Sequence, residues 1–455
     1  MSRQDIFAPS VCFISRQRIT GNTNGSSVYI LSIVKYLKSK GFRIHYVSPS
    51  PATFGRWPFI RLLPEMDVFD TIRIRGSVRL GRYLVLLDPT VFWRATIAVF
   101  DQFLTRSGLS RLRFGRRAPY SIAVSLSARD SAYLARQVPG LADVLLLDYA
   151  FLTPCVPYVK RAGTPSIVIM HDLFSARTPQ FNNLKQVDSA AEISEADEMA
   201  LLSAADCVVA IQGDEAARVR QRLPGHKVVI APMAVQPAER PYVGEPDTVL
   251  FVGSNTAPNI DALQWFIEEI WPAIHGRRSS ARLLVAGSVA WSYARPVSGV
   301  EYLGVVSDLG ALYRRAGIVI SPLRVGSGLK IKLVEAMGWG KAIVATSVTA
   351  QGVQELVKDG IVIADSAADF AQQTLDFMSN EKRRKRYAST ALRVARTNFS
   401  TEDCYRDLLA FISERSPVAE LEPASRPASV PRRTIPTARS ASQENTASSL
   451  SIGEA

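Results

Sequence analysis

The stretch that decides the fold runs from Gly317 to Thr346 and reads Gly-Ile-Val-Ile-Ser-Pro-Leu-Arg-Val-Gly-Ser-Gly-Leu-Lys-Ile-Lys-Leu-Val-Glu-Ala-Met-Gly-Trp-Gly-Lys-Ala-Ile-Val-Ala-Thr. Its β-branched run Ile318–Ile320 predicts a short strand buried in a parallel sheet. Gly326 and Gly328 then let the backbone turn tightly and come close to a ligand. A helix is predicted over residues 329–337, and a second strand follows it. This order of elements is typical of an α/β protein.

The turn from the glycine loop into the helix predicts an anion site. Unpaired N–H groups and the positive end of the helix dipole suit a phosphate. Lys330 lies in the predicted first turn, where a cation is mildly unfavourable for the helix, so a docked anion would explain it. Glu335 lies further along the same helix. A plainer alternative stays open, in which Lys332 and Glu335 form an ordinary surface pair three residues apart.

This stretch resembles the donor-site segment of retaining glycosyltransferases of family 4, the glycosyl transferases group 1, which have the GT-B fold. The resemblance extends over about Val11 to Ile412, is strong from Val249 to Ile363 and is weak from Pro49 to Pro119. The matching residues within the deciding stretch are Ser321-Pro322-Leu323-Arg324, Gly326-Ser327-Gly328, Lys330, Leu333-Val334-Glu335-Ala336-Met337 and Ala342 to Thr346.

The resemblance implies roles for the matched residues. Glu335 would hold the ribose hydroxyls of a sugar nucleotide, and the amides of Gly326 to Gly328 would face the sugar and diphosphate. The sequence departs from the family at Ser327, which stands where the family has the first of two glutamates. Contact between that carboxylate and the donor sugar is therefore lost or replaced.

A second part of the implied donor site follows the strand Val249–Gly253. Gly253 is expected to line the donor site. Many family members carry a basic pair around the next loop, but the corresponding positions here are Ser254 and Asn259. Lys330, with Arg324, would then have to supply positive charge to the diphosphate.

Near the N-terminus, an apolar strand at 11–15 runs into a loop that contains Gly21, Asn24 and Gly25. A helix at 27–40 follows, so the opening is compatible with phosphate. The loop is not G-x-G-x-x-G, and the dinucleotide fingerprint is absent. The resemblance implies a loop facing the cleft and meeting acceptor or donor phosphate. A plain tight turn is the alternative.

His171 follows the predicted strand Ser166–Met170, with Asp172 next to it. Active residues of open α/β sheets gather at the carboxyl ends of strands. A lone histidine in this position is more often structural, but the resemblance implies a histidine that faces the donor sugar. The loop from Arg177 to Gln186 is expected to flank the acceptor.

Composition bounds the class of protein. The 455 residues suffice for two domains, and 47% hydrophobic with 21% charged residues is typical of a globular protein. No apolar run reaches the roughly 18 residues of a membrane span, and the polar N-terminus lacks a signal-peptide core. The cysteines lack metal-ligand spacing and are expected to be reduced thiols of a cytoplasmic protein: Cys12, Cys155, Cys207 and Cys404.

The net charge of +13 is unevenly spread. Ten arginines lie between Thr71 and Arg117, where the only acidic residues are Asp88 and Asp101, and apolar and aromatic residues interleave with them. This pattern indicates contact with an anionic membrane surface at the inner face of the membrane, or an acceptor with a lipid diphosphate. Nucleic acid ranks below it, because no RNA- or DNA-binding module is found. A solvated face beside a separate core remains the alternative.

Alternating strands and helices predict parallel sheets with right-handed crossovers. The expected organisation is an N-terminal Rossmann-like acceptor-binding domain at 1–243, and a Rossmann-like nucleotide-sugar donor domain with a crossover helix at 244–415. Prolines 232, 237, 241 and 246 mark the linker. From residue 416 onward the chain has almost no aromatic residues and is expected to be disordered.

The implied function is hexosyl transfer from a nucleoside-diphosphate sugar to a hydroxyl of a glycan or lipid-linked glycan, with retention, in polysaccharide or glycolipid synthesis. The resemblance implies no essential metal and no cofactor beyond the nucleotide-sugar substrate, and no Asp-x-Asp occurs. Two other classes stay open. One is a nucleotide-sugar epimerase, which shares the fold. The other is a non-catalytic GT-B subunit that binds a partner enzyme.

Overall fold

A seven-stranded parallel sheet forms the first half of the protein. The computed structural model describes residues 8–22, 25–55, 57–89, 91–93, 95–97, 99, 122–176, 193–293, 295–326 and 328–415. The strand order in this sheet is β10-β9-β8-β7-β1-β2-β4. Its strands are β1 Ser10–Ile14, β2 Arg43–Ser48, β4 Thr71–Ile74, β7 Val144–Asp148, β8 Ser166–Ile169, β9 Cys207–Ala210 and β10 Lys227–Ile230.

A six-stranded parallel sheet forms the second half, in the order β13-β12-β11-β14-β15-β16. The deciding stretch supplies two neighbouring strands of this sheet, as the sequence predicts. Nearly every residue of these two strands is apolar, because helices cover both faces of a parallel sheet. The strands are β11 Glu245–Val252, β12 Arg282–Ala286, β13 Val300–Gly304, β14 Ala316–Ser321, β15 Ala342–Ala345 and β16 Val362–Ile363.

Helices connect the strands of both sheets. In chain order, the α-helices are α1 Gly25–Ser39, α2 Ala128–Gln137, α3 Val156–Val159, α4 Glu195–Ser203, α5 Gly213–Arg222, α6 Ala257–Trp265, α7 Trp271–Arg277, α8 Leu309–Arg315, α9 Ile331–Gly338, α10 Ser347–Ala350, α11 Gln354–Val357, α12 Ala367–Ser379, α13 Glu381–Asn398 and α14 Thr401–Arg415. Short 3₁₀ helices lie at Pro51–Phe54, Pro64–Val68, Ala150–Cys155 and Ser288–Ser292, and a π-helical turn at Phe266–Ile270 joins α6 to α7.

A separate antiparallel sheet follows the edge strand β4. It has the order β3-β6-β5, with β3 at Phe59–Arg61, β5 at Ser77–Leu80 and β6 at Tyr83–Leu86. The sequence analysis does not resolve this region, because strands that are apolar on both faces lack a clean period-2 pattern.

The predicted α/β class with two Rossmann-like parallel sheets is confirmed. Most predicted elements lie within two residues of the observed ones. One prediction is wrong in type. The sequence predicts one helix near Phe151 to Lys160, but this segment is a 3₁₀ turn at Ala150–Cys155, which contains Pro154, followed by a four-residue α-helix. Proline lacks the N–H that a regular helix needs.

The two halves pack together within one compact unit. A continuous apolar cluster contains Ile30 of α1 and Leu333 of α9. The last helix, α14, packs on the first half, where the hydroxyl of Tyr405 donates to Ser32 Oγ at 3.0 Å and accepts from the N–H of Ala234 at 3.2 Å.

Several sequence predictions lie outside the described residues. These are the roles of Asn24 and Ser327, the loop Arg177–Gln186, the tail 416–455, half of the apolar stretch 89–104, which the sequence predicts to be a helix, and six of the ten arginines. Among the described arginines, Arg75 pairs with Asp130 at 2.9 Å and Arg82 with Asp67 at 2.9 Å. Carboxylates from outside the 71–117 stretch therefore offset part of its charge.

Candidate active site

Two residues with strained backbones mark the carboxyl end of the first sheet. Tyr149 follows β7 with φ 66°, and His171 follows β8 with φ 60°. Among the described residues they are the only non-glycine residues with positive φ. Such angles cost free energy for a residue with a Cβ, and they cluster at functional sites. His171, which the resemblance expects to face a donor sugar, has one of these two strained angles, and its role stays a prediction.

The ring of His171 is held on three sides. Its Nε2 lies 2.7 Å from Asp148 Oδ1, and the ring stacks on Tyr149 with centroids 4.1 Å apart. The ring of Tyr29 makes a T-shaped contact with it, with the two ring centroids 5.4 Å apart. Asp148 also accepts a hydrogen bond from the hydroxyl of Ser15. An ionised carboxylate can only accept, so Nε2 carries the hydrogen of this bond.

Asp148, Tyr149 and Ser15 are site residues that the sequence analysis missed. Asp148 ends the buried strand β7 in the same way that His171 follows β8, and neighbouring parallel strands bring their carboxyl ends to one edge. That rule, applied to β7, would have found Asp148. No sequence pattern predicts the stacking of Tyr149 on His171, because it depends on a positive φ at a residue that is not glycine.

The glycine loop of the second half reaches this edge of the first sheet. A Cβ added to Gly328 would lie 2.3 Å from Asp172 Oδ1 and 3.3 Å from the carbonyl oxygen of His171. Gly328 also has φ 72°. Only glycine fits both the angle and the space. The structure therefore brings the predicted loop together with the predicted His171 segment.

Lys330 turns back over the loop, where its Nζ donates to the carbonyl of Gly328 at 2.8 Å. It precedes α9 as the capping residue rather than lying in the first turn, because the helix begins at Ile331. The charge of Lys330 is close enough to the carboxyl of Glu215 to oppose, in part, the rise in its pKa that burial causes. Lys330 is thus a cation at the junction of both halves.

Two buried carboxyls anchor the chain after His171. Glu215 Oε1 accepts from the N–H of Leu173 at 3.2 Å, and Glu198 accepts from the N–H groups of Phe174 and Ser175, both at 2.8 Å. Burial raises the pKa of both carboxyls; that of Glu215 reaches about 8, with the negative charge of Asp172 as a second cause. The sequence predicts an acid-rich helix at 187–205 whose acids, Glu198 among them, mostly lie on a solvated face. For Glu198 this prediction is wrong, because its side chain caps a remote segment and is buried.

Glu335 is half-buried on α9, and its Oε2 accepts from Lys332 Nζ at 2.6 Å. The hydroxyl of Tyr313 lies 3.5 Å from the same oxygen. Burial and the charge of Glu335 raise the pKa of Tyr313. The pair with Lys332 is the plainer alternative of the sequence analysis, and a ribose bound by Glu335 would compete with it.

Arg324 and Gly253 both lie against helix α6. Arg324 binds Asp261 with two hydrogen bonds of 3.0 and 2.7 Å and lies over the ring of Trp265. Its charge is therefore already offset by Asp261, which raises the pKa of the guanidinium. Gly253 follows β11 and is closely packed, since a Cβ there would lie 3.1 Å from the side chain of Asn259.

The N-terminal loop borders the same junction. A Cβ on Gly25, the first residue of α1, would lie 3.3 Å from Ile331 Cδ1 of α9, and one on Gly21 would lie 2.7 Å from the side chain of Leu63. The predicted acceptor or phosphate loop is thus next to α9. Within the described part of the chain, no group of three or more His, Cys, Asp or Glu side chains could hold a metal ion.

Comparison with known families identifies the second half. Residues 246–380 match the family model described as Glycosyl transferases group 1. The chain carries a glycosyl transferases group 1 domain. A 44.6 kDa protein of Klebsiella pneumoniae, described as uncharacterized and in the cps region, is 24% identical over 172 residues. That match spans 35% of this chain and 44% of the relative, so the chain covers less than half of that protein.

Solved structures share the fold over nearly the whole chain. A mutant of S. aureus TarM, in complex with fondaparinux, alpha-GlcNAc-glycerol and UDP, superposes with a TM-score of 0.62 at 11% identity, covering 89% of this chain and 99% of that one. The trehalose-6-phosphate synthase OtsA has a TM-score of 0.54 at 13% identity, covering 89% and 99%. The E. coli trehalose-6-phosphate structure bound with UDP-2-fluoro glucose also has 0.54 at 13%, with the same coverage. The fold is that of GT-B proteins, as the resemblance implies.

Proposed function

We propose that this chain is a retaining GT-B glycosyltransferase of family 4 that transfers a hexose from a nucleoside-diphosphate sugar to a hydroxyl acceptor. The observation that carries the proposal is the approach of Gly328 to the His171–Asp172 segment, because it joins a group 1 domain to the strained edge of the first sheet. The UDP and UDP-2-fluoro glucose of the similar structures support a nucleotide-sugar donor.

In this proposal, each candidate residue has its own role in binding the donor. Glu335 holds the ribose hydroxyls after exchanging Lys332 for the ligand, and Gly253 lines the donor site. The amides of residues 326–328 and the charge of Lys330 stabilise the diphosphate as negative charge develops on it. His171 contacts the donor sugar through the ring that Asp148 orients. Arg324 acts indirectly, by holding the loop through Asp261.

In the proposed reaction, the bond between the anomeric carbon and the diphosphate oxygen breaks, and its electron pair leaves with the nucleoside diphosphate. The acceptor hydroxyl oxygen bonds to the anomeric carbon on the same face. The departing phosphate takes the acceptor proton, so the proton balance needs no side-chain base. We expect turnover to survive removal of divalent metal by a chelator.

The acceptor is proposed to be a glycan or lipid-linked glycan that enters beside Gly21, Asn24 and Gly25. Such acceptors belong to polysaccharide or glycolipid synthesis, which places the enzyme in the cytoplasm with peripheral contact to the inner face of the membrane. Within the described residues, no helix has both the length and the apolar character needed to cross a bilayer.

A panel of UDP-, GDP- and ADP-sugars, offered with soluble and lipid-linked acceptors, tests the proposal. Release of nucleoside diphosphate should require an acceptor, and NMR of the product should show the anomeric configuration of the donor. Inverted product would contradict retention. Conversion of the donor without acceptor would assign an epimerase. Nucleotide binding without turnover on any acceptor would assign a non-catalytic subunit.

A further inference from the structure

The antiparallel sheet β3-β6-β5 has one face directed away from the core. Directly paired residues of neighbouring antiparallel strands lie on the same side of the sheet. The register gives two such rows, Phe59–Val85–Val78 and Arg61–Tyr83–Leu80. We name these six side chains the outer face.

Most of the outer face is apolar and exposed. Phe59 is 50% exposed, Val78 41%, Leu80 64% and Tyr83 45%. The opposite side of the same sheet contributes buried residues to the core of the first half: Ile60, Leu84 and Leu86. The sheet is therefore anchored by one side. A contiguous exposed apolar surface of this kind is typical of a docking site.

Aromatic residues extend this surface along the chain. Trp57 is partly exposed, and its ring centroid lies 6.5 Å from that of Phe59. After β6 the chain exposes Phe92 and Trp93, the latter by 70%. Tryptophan and tyrosine have an apolar body with a polar tip, which suits the boundary between lipid headgroups and acyl chains.

The outer face itself carries one charged side chain, Arg61, which lies in its second row. Arg79 pairs with Leu84 and therefore lies on the opposite side of the sheet. A second copy of this chain would bring like charges together, whereas an anionic lipid surface offers opposite charge and an apolar interior.

We propose that the outer face docks on an anionic phospholipid membrane, with its apolar side chains at the acyl boundary and Arg61 against a lipid phosphate. The surface is continuous with the predicted acceptor loop, because the N–H of Leu63, two residues after β3, donates to the carbonyl of Thr20 at 2.8 Å. Docking would bring that loop close to the lipid surface. Only this last consequence rests on the proposed transfer reaction.

Flotation of the full chain with vesicles tests the docking surface. Vesicles of phosphatidylcholine alone are compared with vesicles that also contain phosphatidylglycerol. The wild type should float only with phosphatidylglycerol, and less at high salt. The double variant Phe59→Ser, Leu80→Ser should lower partitioning about tenfold. The matched control is Trp291→Ser, since Trp291 is 68% exposed in the second half and should not contribute.

Both substituted side chains are exposed, so the double variant should fold, and its thermal unfolding curve verifies this. Folded wild type that does not float with phosphatidylglycerol vesicles would overturn the proposal, and so would a double variant that floats like wild type. Self-association that the double variant abolishes, without flotation, would assign the face to a second copy instead. Turnover with a soluble acceptor is measured separately and should not change in the double variant, so a failure of docking is distinguishable from a failure of the proposed reaction.

Discussion

At the scale of single residues, His171 is positioned by partners rather than by its own conformational preference. Its φ of 60° is unfavourable, yet stacking on Tyr149 and the hydrogen bond to Asp148 hold the ring. The free energy of these contacts offsets the backbone strain. Because the Asp148 carboxylate fixes which ring nitrogen carries the hydrogen, the tautomer of His171 is set by the neighbouring strand.

Replacing Asp148 by asparagine should disturb that tautomer while preserving the shape of the site. An amide, unlike a carboxylate, can also donate to Nε2 and so favour the other tautomer. We therefore expect kcat to fall by about tenfold or more, with little change in KM for the donor. Steady-state kinetics on the purified variant measures the split. Asp206→Asn is the control, since Asp206 pairs with Lys160 and Ser166 at the opposite end of β8. An Asp148→Asn variant with wild-type kcat would contradict the role of His171.

Gly328 offers a second test at this scale. A Gly328→Ala substitution adds a Cβ that would lie 2.3 Å from Asp172 Oδ1, at a φ of 72°. The loop must shift away from the first half, so we expect donor affinity to fall as well as stability. Gly163→Ala is a matched control, because its φ is 81° with no atom within 4 Å of the added Cβ. Calorimetric titration with nucleotide should separate the two variants. Equal affinities would mean that the contact with Asp172 does not shape the donor site.

At the scale of elements, the helices α4 and α5 each contribute a buried glutamate that caps the segment after His171. Glu198 and Glu215 accept backbone N–H groups of residues 173–175, which would otherwise remain unpaired in the interior. The position of the candidate histidine is thus linked to two helices that lie later in the chain.

Glu215 should make stability depend on pH. Its pKa is raised from 4.5 to about 8, so the folded state keeps a proton that the unfolded state releases. Native stability therefore falls as pH rises from about 4.5 to about 8. The side chain of Glu215→Gln cannot titrate. The midpoint of thermal unfolding of this variant should therefore rise relative to that of wild type as pH increases from about 4.5 to about 8. A difference between the two midpoints that is constant with pH would contradict the raised pKa.

The sequence predicted the parallel strands well because β-branched apolar runs are specific to buried strands. It did not predict the antiparallel sheet, whose strands β5 and β6 carry exposed apolar residues that mask the alternation. Nor did it identify which acids are buried. Glu198 and Asp197 are neighbours in the sequence, yet only Glu198 is buried. The segment that Glu198 caps lies more than twenty positions away in the sequence, so a local pattern does not reveal the contact.

At the scale of the whole molecule, the candidate site exists only where the two halves meet. His171 and Asp172 belong to the first sheet, while Gly328, Lys330 and Glu335 belong to the second. The resemblance found the members of this site separately, from motifs. Their closeness could not be read from the sequence, since it depends on the packing of α1 against α9 and of α14 on the first half.

The most direct test of the account is acceptor-dependent release of nucleoside diphosphate by wild type, Glu335→Ala and Glu355→Ala. Glu335 and Glu355 each pair with a lysine three residues away, at 2.6 and 3.7 Å, and Glu355 lies outside the candidate site. We predict release by wild type and by Glu355→Ala, and a loss of about a hundredfold or more in kcat/KM for Glu335→Ala, because its hydrogen bonds to the donor are removed. Equal release by all three proteins would contradict the donor site at Glu335.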